Sequence, residues 1–175
     1  ACAMRIALIS DLHGHEVAVK AVLDDIHRTG VDRIVCLGDV ATLGPRPREV
    51  LGLLRHLNIT CILGNHDAFL LDPDLIHSYT EAPIIVEAVD WTRRQLEASD
   101  LEFVHTFVPG LEIQLEATTT LRLFHGSPRS HTEDILATTP PDKLDEMLQG
   151  HTATVMAGGH THIQMMRQHR GILLV

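Results

Sequence analysis

Aromatic residues make up only 3% of this 175-residue chain: one Trp, one Tyr and four Phe. Its core must therefore be built from Leu, Ile, Val and Ala, within an apolar total of 45%. Cationic residues are also scarce, 14 Lys and Arg against 23 Asp and Glu, for a formal charge of −9. That balance argues against a duplex nucleic-acid binder, which neutralises phosphates with Lys and Arg. Three cysteines, Cys2, Cys36 and Cys61, make no disulfide framework and no Cys-x-x-Cys pair. Cys36 and Cys61 fall in strand-like runs and are expected to be small buried apolar residues. No run of ~18 apolar residues marks a membrane helix, and no charged start leading into an apolar stretch marks a signal peptide. The expectation is a cytoplasmic protein without a membrane partner, a single domain over residues 1–175. What the chain has in excess is histidine, 13 in all.

From Met4 the pattern alternates strand and helix. Arg5–Ser10, Arg33–Leu37 and Thr60–Leu63 are short apolar runs of strand type. Between them, Val17, Ala18, Ala21, Val22 and Ile26 recur at helical spacing up to Gly30, and Val50, Leu51, Leu54 and Leu57 mark a second helix from Arg48. Strand–helix–strand at this spacing predicts βαβ units and a largely parallel sheet. Residues 72–83 have weak periodicity and are predicted to be a loop or short irregular helix overhanging the site. Helices are predicted over 84–98 and 100–107, the second capped by Ser99 or Asp100. Then Leu111–Ala117 alternates apolar and polar residues, the period of a half-exposed antiparallel strand, and Thr119–Phe124 would pair with it. A helix over 141–148, a buried strand over 154–157 and a hairpin turning at His169-Arg170 complete a β-rich second half. The fold class is α/β, a four-layer α-β-β-α sandwich with two mixed sheets flanked by helices.

Five strand-like runs end in chemistry-bearing residues. Asp11-Leu12-His13 follows the first, Gly38-Asp39 the second, and Gly64-Asn65-His66-Asp67 the third; His125 follows 121–124, and Gly158-Gly159-His160-Thr161-His162 follows 154–157. An Asp-x-His or His-x-His pair on a strand places both side chains on one side. Any one cluster reads equally well as a turn or cap. Five together, all supplying oxygen or nitrogen donors at one sheet edge, suit a pair of divalent ions in a hydrolase.

This order of motifs resembles the calcineurin-like metallophosphoesterase superfamily, over nearly the whole chain. Gly38-Asp39 followed by Gly44-Pro45, Trp91-Thr92 followed by Gln95-Leu96, and His125-Gly126-Ser127-Pro128-Arg129 are similar to its small prokaryotic phosphodiesterase-like branch. The stretch from Val40 to Gly44 lacks the Asp-Arg-Gly of the Ser/Thr protein phosphatases. The resemblance implies a first metal held by Asp11, His13 and His162, a second by Asn65, His125 and His160, and Asp39 bridging. Two divalent transition-metal ions (Mn, Fe, Ni, Co or Zn) would then make a positive pocket on an acidic protein. The implied reaction is hydrolysis of phosphodiester bonds in a small phosphate-ester substrate, by in-line attack of a metal-bridging hydroxide. His66 would assist the leaving group, with Asp67 orienting it. Arg129 and His15 are candidates for touching substrate. His27, His56 and His169 are expected to be solvated, while His77, His105, His131 and His151 have no motif context. Phosphomonoesterase or nucleotidase activity and a non-catalytic scaffold of the same fold are the alternatives. Related chains run on past the strand at Gly171–Val175, so a further strand and loop are expected beyond it, and that strand would sit near a sheet edge open to homo-oligomer formation.

Overall fold

The computed structural model describes residues 4–175. Cys2 lies outside the described residues. The first half forms a parallel sheet of β1 (Ile6–Ile9), β2 (Arg33–Cys36) and β3 (Thr60–Cys61), in that order. Ile6 pairs with Arg33, Ile9 with Cys36, and Cys36 with Cys61. The crossovers are α1 (Glu16–Thr29) and α2 (Pro47–His56). After β3 come α3 (Asn65–Leu71), a 3-10 turn (Pro73–Leu75), α4 (Ile76–Tyr79), α5 (Pro83–Gln95) and α6 (Ala98–Val104).

The second half forms a mixed sheet from β4 (Leu111–Glu116), β5 (Thr119–Leu123), β6 (Val155–Ala157), β7 (Arg167–His169) and β8 (Ile172–Leu174), with α7 (Pro141–Leu148) between β5 and β6. Its order is β4-β5-β6-β8-β7. β5, β6 and β8 run parallel, and the outer pairs β4·β5 and β7·β8 are antiparallel. Arg170 and Gly171 both take positive φ, 45° and 84°, as the two-residue turn of a tight hairpin requires. β8 therefore lies inside the sheet, not at the edge expected for it; the edges are β4 and β7.

Val35, Leu37, Ile62, Ile113, Leu121, Leu123 and Ala157 are buried together where the two sheets face each other. The outer face of the first sheet packs Ile9, Cys36 and Cys61 against Val19, Val50, Leu51, Leu54 and Val104 of the helices. The outer face of the second packs Met156 and Leu174 against Leu144, Met147 and Leu148 of α7. The result is the four-layer sandwich. Each fully buried aliphatic side chain contributes about 1.5–3 kcal/mol, so branched aliphatics replace the missing aromatics. Cys36 and Cys61 are buried and unbridged, as their strand positions require.

Local chemistry shifts several boundaries. α2 and α5 begin one residue earlier than their apolar pattern, at Pro47 and Pro83, because proline's missing N–H costs nothing at a first helical position. α6 begins at Ala98 with Glu97 as its cap, and Asp100 acts from inside the helix, accepting the Glu97 N–H at 3.0 Å. His169 is buried, not solvated, and its Nε2 lies 2.7 Å from Asp145 Oδ1.

Candidate metal centre

All five clusters meet where the carboxyl ends of β1, β2 and β3 face those of β5 and β6. The Asp11–His13 segment is not a continuation of β1, contrary to its strand-like spacing. Asp11 N–H donates to the Gly38 carbonyl, His13 N–H to that of Asp39, and Gly14 N–H to that of Val40, so the two loops run side by side. Asp11 (φ 55°), His13 (43°), Asp39 (55°), His160 (70°) and His162 (56°) all adopt left-handed backbone. They are five of the eight non-glycine residues with positive φ among those described. Left-handed conformation is locally unfavourable for residues other than glycine, less so for Asp. Such a cost persists where the side chains are held by something else.

Two triads result. Asp11, His13 and His162 form the more open one, and Asp39, His125 and His160 the buried one. In the first, His162 Nε2 lies 3.2 Å from both Asp11 Oδ1 and His13 Nε2. In the second, His125 Nε2 lies 3.1 Å from Asn65 Oδ1 and 3.4 Å from Asp39 Oδ2. The same Oδ2 is 3.9 Å from His13 Nε2. One carboxylate oxygen thus stands between the triads, while Oδ1 accepts the His66 N–H at 2.9 Å. The ring orientations follow from backbone acceptors. His13 Nδ1 meets the Thr42 carbonyl at 3.2 Å and His125 Nδ1 that of Leu37 at 2.7 Å, which turns each Nε2 inward.

This donor set fits divalent cations. Two imidazole nitrogens at 3.2 Å require a shared proton or cation between them, and Asp39 is only 2% exposed. Burial opposes the charge on Asp39, but the His125 hydrogen bond and the His125, His66 and His13 charges bring its pKa to about 2. Burial likewise disfavours a charged His125, yet Asp39 lifts it to about 9. Without a metal, a proton on His125 performs the neutralisation that an ion would otherwise supply. Nδ2 of Asn65 has no partner, because its amide is turned to present oxygen to the cluster.

Glycines allow the close approach. At Gly64 an added Cβ would collide with the Asp39 carboxylate, and at Gly159 with Ser10 and Asp11. Asp11 Oδ2 accepts from Ser10 Oγ at 2.6 Å and from the His160 N–H at 3.0 Å, tying β1 to the loop after β6.

The remaining candidates divide. Asn65 and His66 occupy the first turn of α3, an unanticipated helix, and point apart: Asn65 to the buried triad, His66 edge-on to His13 at 5.3 Å between ring centroids. His66 Nδ1 is buried without a partner; burial first, then the His13, His125 and His160 charges, lowers its pKa to about 4. Asp67 does not orient His66. Its carboxylate accepts three backbone N–H groups, from Asp39 (2.8 Å), Val40 (2.9 Å) and Gly64 (2.9 Å), at the start of α3 and the end of β2. Replacing Asp67 with Ala would orphan three buried donors at ~1 kcal/mol or more each. The expected result is a loss of about 3 kcal/mol and a Tm lower by roughly 6–12 °C, measured on the metal-free protein. An unchanged Tm would show that the clamp contributes nothing.

In this structure the Arg129 guanidinium is engaged by Glu133 and by the Glu146 carbonyl, and Arg129 lines a cavity shared with His125. His15 is exposed ahead of α1 and joins neither triad. Two further residues border the site without a sequence signal. Asp134 Oδ1 lies 3.2 Å from His160 Nε2. His131, with an unpartnered Nδ1, lines a cavity of about 240 Å³ against His125. Their loop follows the His125-Gly-Ser-Pro turn but repeats no spacing that would have marked them.

Residues 4–175 match the calcineurin-like phosphoesterase superfamily domain, and the chain belongs to that family. It is 31% identical over 170 residues to an uncharacterized protein of Methanocaldococcus jannaschii, covering 97% of this chain and 67% of that one. It is 30% identical over 139 residues to a symmetrical bis(5'-nucleosyl)-tetraphosphatase of Pseudomonas entomophila, covering 65% of this chain and 49% of that enzyme. A metallophosphoesterase crystal structure from Sphaerobacter thermophilus superposes with a TM-score of 0.71 at 31% identity, covering 94% of this chain and 63% of that one. The chain thus spans about half to two thirds of these relatives' lengths. Among the described residues, no helix is long and apolar enough to cross a membrane.

Proposed function

We propose that this chain is the catalytic domain of a dimetal-dependent phosphoesterase that hydrolyses phosphodiester bonds. The observation that carries this reading is the position of Asp39 Oδ2, 3.4 Å from His125 and 3.9 Å from His13, between two triads that each offer one ion a nitrogen-rich set. Asp11, His13 and His162 would hold one ion, and Asn65, His125 and His160 the other, with Asp39 shared. Such ions supply a water of lowered pKa and positive charge against the phosphoryl oxygens. The chain's own residues do the rest. Asp39 and the carbonyl-anchored imidazoles keep the donors in place. His66, presented by the first turn of α3 beside His13, would assist the leaving oxygen.

A second reading follows from the Pseudomonas relative, named for a bis(5'-nucleosyl) tetraphosphate, a phosphoanhydride. Attack at phosphorus and the donor set are common to both, so only the leaving group differs. The test is metal analysis of the purified protein, with turnover of a chromogenic phosphodiester, its monoester and a dinucleoside tetraphosphate. Two ions per chain and turnover of the diester are expected. Retained Mn with no turnover of any of the three would sink the enzymatic reading, and a monoester rate far above the others would reassign the substrate.

A further inference from the structure

Tyr79, the chain's one tyrosine, ends α4 beside the buried triad. Its ring lies 5.6 Å from that of Phe69, which is 1% exposed, and 6.3 Å from that of His160. Yet Tyr79 itself remains 44% exposed. One side of the ring therefore rests on protein while much of the rest meets solvent next to a candidate ligand of the second ion.

The backing is buried. Ile76 of the same short helix is 2% exposed and packs with Phe69 and Val89, and Thr80 N–H closes the helix on the Ile76 carbonyl at 2.8 Å. The charge beside the ring is negative: Asp134, on the loop after β5, lies against His160 Nε2. Burial, then Asp134 and Asp39, raises the Tyr79 pKa, so the phenol is uncharged at neutral pH. An aromatic face next to a carboxylate disfavours a further phosphate and accepts a flat, uncharged group.

We propose that Tyr79 is a stacking platform for the base of a nucleotide-type substrate, whose phosphate lies over the metal ligands. This rests on the phosphoesterase reading and adds a class of substrate to it. Stacking of a base on an aromatic side chain follows ring area and is largely indifferent to base identity, so the platform would select nucleotides over simple alkyl phosphates without choosing among bases.

Equilibrium binding tests this without requiring turnover. Adenosine monophosphate and inorganic phosphate are titrated calorimetrically into the Mn-loaded full chain. The nucleotide should bind more tightly, and Tyr79→Ala should weaken it roughly 5- to 100-fold while leaving inorganic phosphate unchanged. Tyr79→Phe should bind as the parent does. Tyr79→Leu, which keeps the contact with Phe69 but lacks an aromatic face, should behave as the Ala variant and guards against a folding defect. Equal affinity for nucleotide and phosphate in the parent would overturn the proposal, as would equal weakening of both ligands in Tyr79→Ala and Tyr79→Leu. Failure of both ligands to bind would overturn it together with the reading on which it rests, whereas normal turnover with equal affinities would overturn it alone.

Discussion

Asp39→Asn is expected to reduce turnover by ~10³-fold or more and to weaken metal binding at both positions, because several kcal/mol of charge stabilisation depend on one carboxylate. Its Oδ2 is the oxygen within reach of both His125 and His13. Removing its charge leaves two groups of imidazoles with Asp11 as the only other acid in the triads. Asn suits the test because its amide oxygen can still accept the His66 N–H that Oδ1 receives at 2.9 Å. The start of α3 should therefore survive while the bridge is lost. Metal content and activity are measured over a Mn titration. Loss of metal from one position only would show that Asp39 serves a single ion, and full activity would remove it from the site.

His66→Ala separates chemistry from metal binding. His66 belongs to neither triad, and its ring stands over His13 with a free buried Nδ1. Metal content should stay near that of the parent. Turnover should fall ~10²–10⁴-fold for alkyl leaving groups, which depend on general-acid assistance. Nitrophenolate leaves without it, so its rate should fall less. Loss of metal, or equal damage to both leaving groups, would reassign His66 to the ligand shell.

The candidate donor set was legible because donors on separate strands must arrive at strand ends, and apolar runs mark strands. Each of Asp11, Asp39, His125 and His160 follows such a run, and the structure places them within two triads. The α/β alternation was legible for the same reason: one period signals a buried strand and another a helix with one apolar face. Asp67 shows where this ends. An Asp one residue after His66 reads as its partner, yet the first turn of α3 rotates the two side chains apart and delivers the carboxylate to the amides of Asp39, Val40 and Gly64. Arg129 shows a related point, because Glu133 lies four residues along and pairs with the guanidinium in this structure.

By itself, then, the sequence determined the strand-ending donors, the layered class and the exclusion of sulfur from the site, since each depends on local pattern and residue type. The tertiary structure decided which oxygen lies between the triads, which ring nitrogen faces inward, and that Asp134, His131 and Tyr79 border the site. These depend on the meeting of two sheets and on left-handed turns at Asp11, His13, Asp39, His160 and His162. Such conformations are locally unfavourable for residues other than glycine, so no local pattern announces them; they exist only because long-range hydrogen bonds and packing outweigh their cost.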